Sequence, residues 1–269
     1  MTRLLTAVVL VATLVVTVWV LTPIATVVLA TIVAVLGAAE VAGIARQLGA
    51  PVAMRFVGPI AGVVCAVFAL GMSVGPAPRA EMLPIVVLAL VVAAGILALA
   101  AGPPDPAVLA RAAISVMAPL YVGLPLGAIA RVRVLHGPEV VSVLAVLVIA
   151  SDSAQYFAGR AFGRRKLAPL VSPAKTLEGA LGGVLAAALV GATLGARWVP
   201  GVTPMSGALL GVLVASFGIV GDLFESLLKR GAGMKDSSSL IPGHGGVLDR
   251  VDSWLFAGPV YYLFLRYLS

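Results

Sequence analysis

Charge is scarce in this chain. Only 11% of its 269 residues are Asp, Glu, Lys or Arg, and 61% are hydrophobic. Soluble domains average about 45–50% apolar residues with about a quarter charged, so a mean hydropathy of +1.13 excludes an ordinary soluble domain. Cysteine is nearly missing: the single Cys65 lies in an apolar run and excludes an internal disulfide. Ionisable residues near mid-span are also few, whereas a transporter moving protons or cations would place them in several helices. The net charge of +7 is clustered rather than spread. Cationic loops against lipid headgroups or a nucleotide account for it better than nucleic acid does.

What is abundant is apolar sequence in spanning lengths. A spanning helix needs about 20 such residues, and the expected fold class is all-α: a polytopic membrane protein with about nine helices. The segments are 4–21, 24–42, 57–74, 83–101, 112–130, 139–158, 178–196, 205–227 and 252–268. Pro, Gly or charge separates them, as in Gly75-Pro76-Ala77-Pro78-Arg79 and Gly102-Pro103-Pro104-Asp105-Pro106. Arg3 followed by Leu4 to Leu21 resembles a signal peptide, but the run exceeds the usual core of about 7–15 residues, so an uncleaved first helix is expected. With the N-terminus in the cytoplasm, thirteen of the eighteen Lys and Arg face inward. Arg79, Arg131, Arg133, Arg197 and Arg266 face outward, and Arg131 and Arg133 fit that scheme poorly. The chain reads as one transmembrane domain, 1–269, with a helical scaffold over 1–140 and a catalytic half over 141–269. In the scaffold, Glu40 and Arg46 read as a cytoplasmic helix end more readily than as a functional pair. Pro119 to Pro125 is expected to distort the fifth helix.

Against this background, residues 222–252 stand out. They hold five of the eleven carboxylates, Asp222, Glu225, Asp236, Asp249 and Asp252, together with Lys229, Arg230, Lys235, His244 and Arg250. Asp222, Glu225, Ser226 and Lys229 share one helix face, at i, i+3, i+4 and i+7. Asp249 and Asp252 are again three apart. Between them runs Pro242-Gly243-His244-Gly245-Gly246, whose glycines let backbone approach a ligand closely. Carboxylates on two helix ends suit a hard cation, and Lys and Arg beside them suit phosphate. Together they point to metal-assisted phosphoryl or nucleotidyl transfer. The competing reading is a set of salt bridges with Lys229, Arg230 and Arg250.

A second polar island covers Ser151 to Gly179, one helical hairpin upstream and on the same side. Asp152 reads equally as a ligand or as a buried contact between helices. The run Arg160 to Lys166 suits triphosphate or lipid phosphate, and equally a positive-inside loop. In Ser172-Pro173-Ala174-Lys175-Thr176-Leu177-Glu178-Gly179, Lys175 and Thr176 offer a charge and a hydroxyl to phosphate. Glu178 suits a helix start, and the same residues also read as an N-cap.

These motifs resemble phosphatidate cytidylyltransferase, the CDP-diacylglycerol synthase family. The likeness rests on Ser226-Leu227-Leu228-Lys229-Arg230, Lys235-Asp236 and His244-Gly245-Gly246-Val247-Leu248-Asp249-Arg250-Val251-Asp252. It extends to the Asp152-Ser153, Gly159-Arg160 and Ser172-to-Gly179 elements, with Leu177 where the family often has Trp. No Asp-Gly-x-x-Ala-Arg run of the CDP-alcohol phosphatidyltransferases is present. The resemblance implies transfer of CMP from CTP to phosphatidic acid, giving CDP-diacylglycerol and pyrophosphate. The alternatives are a related CTP-dependent lipid-phosphate cytidylyltransferase, a lipid kinase, or an ion-coupled transporter. On this reading Asp222 and Asp249 are the principal Mg²⁺ ligands, with Asp252 and Glu225 beside them and room for a second cation. Lys229, Arg230, Lys235, Asp236, His244 and Arg250 form the catalytic set, with His244 as a phosphate hydrogen-bond donor or a structural residue. Asp152, Lys166, Ser172, Lys175, Thr176 and Glu178 form the substrate-binding set. Expected partners are CTP, phosphatidic acid, membrane lipids and a second copy in a homodimer. The expected setting is a bacterial plasma membrane, with the active site facing the cytoplasm.

Overall fold

A computed structural model of the chain describes residues 2–74, 80–100 and 105–268; the side chains of 2–5, 7, 73, 74, 80 and 81 are outside that description. The Pro-rich breaks at 75–79 and 101–104, with Arg79, therefore lie outside the described residues, as does the side chain of Arg3. The helices are α1 (Thr2–Val15), α2 (Pro23–Gln47), α3 (Met54–Leu70), α4 (Met82–Ala100), α5 (Val108–His136), α6 (Pro138–Phe162), α7 (Leu177–Val190), α8 (Ala196–Trp198), α9 (Pro204–Gly231) and α10 (Leu248–Tyr267). Short π-helical stretches, Val16–Val20 and Gly191–Gly195, continue α1 and α7. Two small antiparallel hairpins interrupt the helices: β1 (Ser73–Val74) with β2 (Ala80–Glu81), and β3 (Lys166–Ala168) with β4 (Ser172–Thr176).

Each segment expected to span lies mainly on helix, although 57–74 runs past the end of α3 at Leu70 into β1, so the architecture is all-α and of membrane type. Six of the described helices are long and apolar enough to cross a membrane: α2, α4, α5, α6, α7 with its π-helical extension to Trp198, and α9. The stretches Val8–Val20 and Met54–Leu70 are shorter. Helix α10, which carries Asp249, Arg250, Asp252 and Arg266, is not one of the six. Helix α5 runs as one α-helix over both Pro119 and Pro125, rather than breaking there. Inside a helical bundle, neighbouring helices and local adjustment can satisfy the carbonyls that proline frees.

The chain divides into two compact units, residues 1–134 with 231–250, and residues 135–230 with 251–269. The loop between α9 and α10 thus belongs with the N-terminal helices.

In the first unit, small residues set the helix spacing. A Cβ at Gly123 would stand 2.6 Å from the Ala61 carbonyl oxygen, and one at Gly127 2.8 Å from that of Cys65. The α3 and α5 backbones therefore touch, as small-residue seams allow in membranes. Two arginines of α5 close this unit. Arg131 Nη1 donates to the Ala69 carbonyl at 3.3 Å, beneath the left-handed Gly71 that ends α3. Arg133 is buried, and its Nε donates to the Val18 carbonyl at 2.9 Å. Both cap carbonyls at helix ends, where cations are favoured. That local role accounts for their poor fit to the orientation rule.

The second unit repeats the device more strongly. Gly179, Gly183, Ala187, Gly191 and Gly195 recur every four residues. A Cβ at Gly191 would lie 2.0 Å from the Gly207 carbonyl oxygen, and one at Gly211 2.0 Å from that of Ala187. Only glycine permits α9 to lie this close to α7. On α9, Gly221 likewise admits the Asp252 backbone of α10, where Phe224 and Phe256 pack 5.7 Å apart. Tyr261 is buried, and its hydroxyl donates to the Val140 carbonyl at 2.6 Å, tying α10 to α6.

Candidate active site

In the second unit, polar side chains gather where α6, α9, α10 and the β3–β4 hairpin meet. The Lys175 ammonium lies 2.5 Å from Asp222 Oδ2, and both side chains are largely withdrawn from solvent. Ser226 Oγ donates to Asp222 Oδ1 at 3.3 Å, one helical turn along α9. Asp152, on α6, lies within the electrostatic reach of both Lys175 and Asp222. Asp252 lies within reach of Asp222, Lys229 and Asp152. Two carboxylates from two helices, Asp152 and Asp222, thus share the lysine supplied by the hairpin, and Asp252 of a third helix faces Asp222 and Lys229. Such like charges repel unless a cation balances them.

Deeper on α9, Glu225 is fully buried and ion-pairs with Lys229 one turn along. The ammonium of Lys229 is thus turned toward a carboxylate of its own helix. Arg230 is exposed, and its Nε donates to the Val171 carbonyl at 3.4 Å.

The hairpin explains the second polar island. Lys166 and Ser172 stand on it, Lys166 exposed and Ser172 half-buried. Thr176 is buried, and its hydroxyl accepts the Gly179 N–H at 3.1 Å as the N-cap of α7. The Glu178 carboxylate reaches back to accept the backbone N–H groups of Arg164 and Arg165, at 3.0 and 3.2 Å. Both residues therefore do local work, holding the turn that precedes Lys166 and the start of α7.

In the first unit lies the loop between α9 and α10. Ile241-Pro242-Gly243-His244 forms a turn closed by the His244 N–H on the Ile241 carbonyl at 2.9 Å. Proline second and a positive-φ glycine third are the residues a type II turn requires. His244 Nδ1 lies 3.5 Å from the Pro242 carbonyl oxygen. Lys235, Asp236 and Arg250 are exposed. Asp249 faces into the loop instead. Its Oδ2 accepts from the Gly246 N–H at 2.7 Å and the Ser237 N–H at 2.9 Å, and the one proton of the Ser237 hydroxyl, 2.9 Å away, is shared between Asp249 and Glu40.

The two glycines after His244 are explained by these carboxylates. Gly245 has φ +77°, and a Cβ there would sit 2.6 Å from Asp249 Oδ2. A Cβ at Gly246 would meet Ser237 Oγ at 2.1 Å and the Glu40 oxygens at 2.5 and 2.6 Å. The close approach expected of this run is therefore to the protein's own acids.

Glu40, together with Ser237 and Ser238, was not foreseen as part of this arrangement. It sits buried on α2, and both carboxylate oxygens accept hydrogen bonds from the loop. The signal available in the sequence was an acid inside a spanning helix, which is costly and generally functional. Its partners lie some two hundred positions away, so their identity required the fold.

Carboxylate oxygens are hard donors. Mg²⁺ is commonly held by one or two of them, with substrate phosphates and water completing the shell. Asp222 and Asp252 offer such a donor pair. Among the described residues, no group of three His, Cys, Asp or Glu side chains closes on one point.

Similarity to known proteins agrees with this chemistry. Protein YnbB of Escherichia coli, itself uncharacterised, is 44% identical over 131 residues, covering 49% of this chain and 44% of that protein. Phosphatidate cytidylyltransferase of Haemophilus influenzae is 44% identical over 138 residues, covering 48% of this chain and 46% of that protein. The enzyme of that name from Pseudomonas aeruginosa is 50% identical over 117 residues, or 43% of each chain. The chain thus spans about half the length of the curated relatives it matches. The profile of the Cytidylyltransferase family matches much more, residues 1–268. With lysine-balanced carboxylates on α9 and a profile match along nearly its whole length, the chain belongs to the cytidylyltransferase family.

Proposed function

We propose that this protein transfers the cytidylyl group of CTP to phosphatidic acid, forming CDP-diacylglycerol and releasing pyrophosphate. The observation that carries the reading is the Asp222–Lys175 pair flanked by Asp152 and Asp252, in a membrane-embedded chain of this family. An oxygen of the lipid phosphate forms a bond to the α-phosphorus of CTP, and the bond from that phosphorus to the α–β bridging oxygen breaks. Pyrophosphate leaves with that bridging oxygen. The nucleophile is already ionised, so little deprotonation is needed and His244 acts as a hydrogen-bond donor rather than a base.

The main obstacle is bringing two anions together. Lys175 meets incoming phosphate, with Lys166, Ser172 and Thr176 along the same hairpin. In the same unit Lys229 and Arg230 supply further positive charge; in the other unit Lys235 and Arg250 carry positive charge, and Asp236 orients Lys235 or the cytidine. Each unit offers carboxylate oxygen suited to Mg²⁺: Asp222 and Asp252, with Glu225 buried behind, in one, and Asp249 in the other. When bound, Mg²⁺ would neutralise phosphate charge and polarise the phosphorus. The two polar clusters face the cytoplasm, a reading supported by the bias of basic residues to that side.

The test is turnover by the purified protein in phosphatidate-containing vesicles with CTP and Mg²⁺. CDP-diacylglycerol and pyrophosphate should appear in equal amounts, and a chelator should stop both. Transfer of the CTP γ-phosphate to a lipid, or no product from phosphatidate, would reject the assignment.

A further inference from the structure

We propose that Glu40 is a positioning residue for the signature loop. From α2 it fixes the path of residues 237–248, and through Ser237 it orients Asp249. The proposal rests on the functional reading above only for its activity readout.

The geometry is specific. Glu40 Oε1 accepts from the Ser238 hydroxyl at 2.7 Å and the Val247 N–H at 3.0 Å. Oε2 accepts from the Ser237 hydroxyl at 2.9 Å and the Leu248 N–H at 2.7 Å. Both ends of the loop are thus pinned to one side chain, of which only 7% is exposed. The middle of the loop has no comparable anchor in a core: Ser239, Leu240, Pro242 and Gly243 are exposed. Ser237 also links the two acids, its hydroxyl lying 2.9 Å from Glu40 Oε2 and 2.9 Å from Asp249 Oδ2. Asp249 is therefore held on one side by a group that Glu40 holds on the other. Lys235, Asp236 and His244 ride on the same loop, so its path sets where they stand. Gly246 completes the fit, since any Cβ there would displace Glu40 or Ser237.

A carboxylate is required, not merely a polar group. Each oxygen receives a backbone N–H, so a glutamine, in either orientation of its amide, turns an NH₂ toward a donor. One of the Val247 and Leu248 bonds is then lost. Glu40→Asp keeps the charge and both acceptors on a shorter stem.

The experiment compares wild type, Glu40→Gln, Glu40→Asp, Ser237→Ala and the Glu40→Gln/Ser237→Ala double variant of the full chain in lipid nanodiscs. Hydrogen–deuterium exchange across 237–248 is read without substrate, and kcat and KM with CTP, phosphatidate and Mg²⁺. Glu40→Gln is expected to speed exchange in this loop selectively and to lower kcat about ten- to a hundredfold, the scale of a lost charge-assisted hydrogen bond. The KM for CTP should change less than kcat does. Glu40→Asp should recover part of the loss, and the double variant should be no worse than the poorer single one. Unchanged loop exchange in Glu40→Gln, or additive losses in the double variant, would overturn the proposal. If Glu40→Gln fails to insert, Ser237→Ala must show the same exchange and kcat signature, and its absence overturns the proposal equally. A wild type inactive on CTP and phosphatidate would reject the functional reading, while the exchange arm would still decide the role of Glu40.

Discussion

The two polar clusters use the same residue types in opposite ways. In the loop, Glu40 and Asp249 accept hydrogen bonds from backbone N–H groups and serine hydroxyls. In the second unit, Asp222 and Glu225 are balanced by Lys175 and Lys229. Hydrogen bonds from the backbone are directional and fix geometry, so acids held that way organise structure. An ammonium is a compact point charge on a flexible stem, and its place can be taken by another cation. The loop cluster thus fixes backbone geometry, while the cluster of the second unit sets carboxylates against lysines.

The largest effect should come from breaking both sides of this contrast. Asp222→Asn and Asp249→Asn should each reduce turnover at least about a hundredfold, the scale of removing one preorganised electrostatic group. They should differ in a second measurement. Amide exchange across 237–248 should rise in Asp249→Asn, because the Ser237 and Gly246 N–H groups both donate to Oδ2 there, and stay at the wild-type rate in Asp222→Asn. The same exchange profile in both variants would erase the distinction.

Next in size is Lys175→Ala. Removing one charge-assisted contact costs about 1.5–3 kcal/mol, so the apparent affinity for one anionic substrate should weaken about ten- to a hundredfold. Apparent Michaelis constants for CTP and phosphatidate, measured separately, identify which one. Unchanged constants for both would return Lys175 to the role of a counter-ion to Asp222.

Smaller effects belong to the hairpin. Thr176→Val deletes the α7 cap and should lower stability by about 1 kcal/mol, seen as a reduced Tm in detergent. Glu178→Gln, which weakens the bonds to Arg164 and Arg165, should shift Tm in the same direction. A changed KM with no change in Tm would instead place these residues against substrate.

The smallest effect lies away from both clusters. The Arg111 guanidinium, hydrogen-bonded 2.5 Å from Asp105, holds that carboxyl below the usual range, with help from the Ala107 N–H. A lowered carboxylate pKa stabilises the fold above the unfolded value, and that stability is lost as pH falls through the folded value. Because Asp105 is exposed, screening leaves little of it. Melting curves of wild type and Asp105→Asn should differ barely at neutral pH, and not at all once the wild-type carboxyl is protonated.

How much of this was legible in the sequence follows from the distances involved. The helices were, because apolar length is a local property. The signature residues were, because Asp222, Glu225 and Lys229 share a helix face by spacing alone, and Asp249 opens the next helix. The pairing of Lys175 with Asp222 was not, since nothing in either motif names the other. Glu40 was read as the end of a helix because its four donors lie far along the chain. Thr176 and Glu178 were open between phosphate and cap, and the structure gives both a place in local backbone. Arg131 and Arg133 fit the count of basic residues poorly, and a count by loop has no means of seeing a guanidinium committed to a carbonyl.

Those two arginines also bear on how the protein is made. They sit two residues apart on α5, yet one is committed to the end of α3 and the other to the stretch that follows α1. Without those helices, two guanidinium groups just beyond the expected 112–130 span would lack these carbonyl partners. Their acceptors lie upstream and emerge from the ribosome first. The carbonyls that these guanidinium groups use are therefore already synthesised when α5 is.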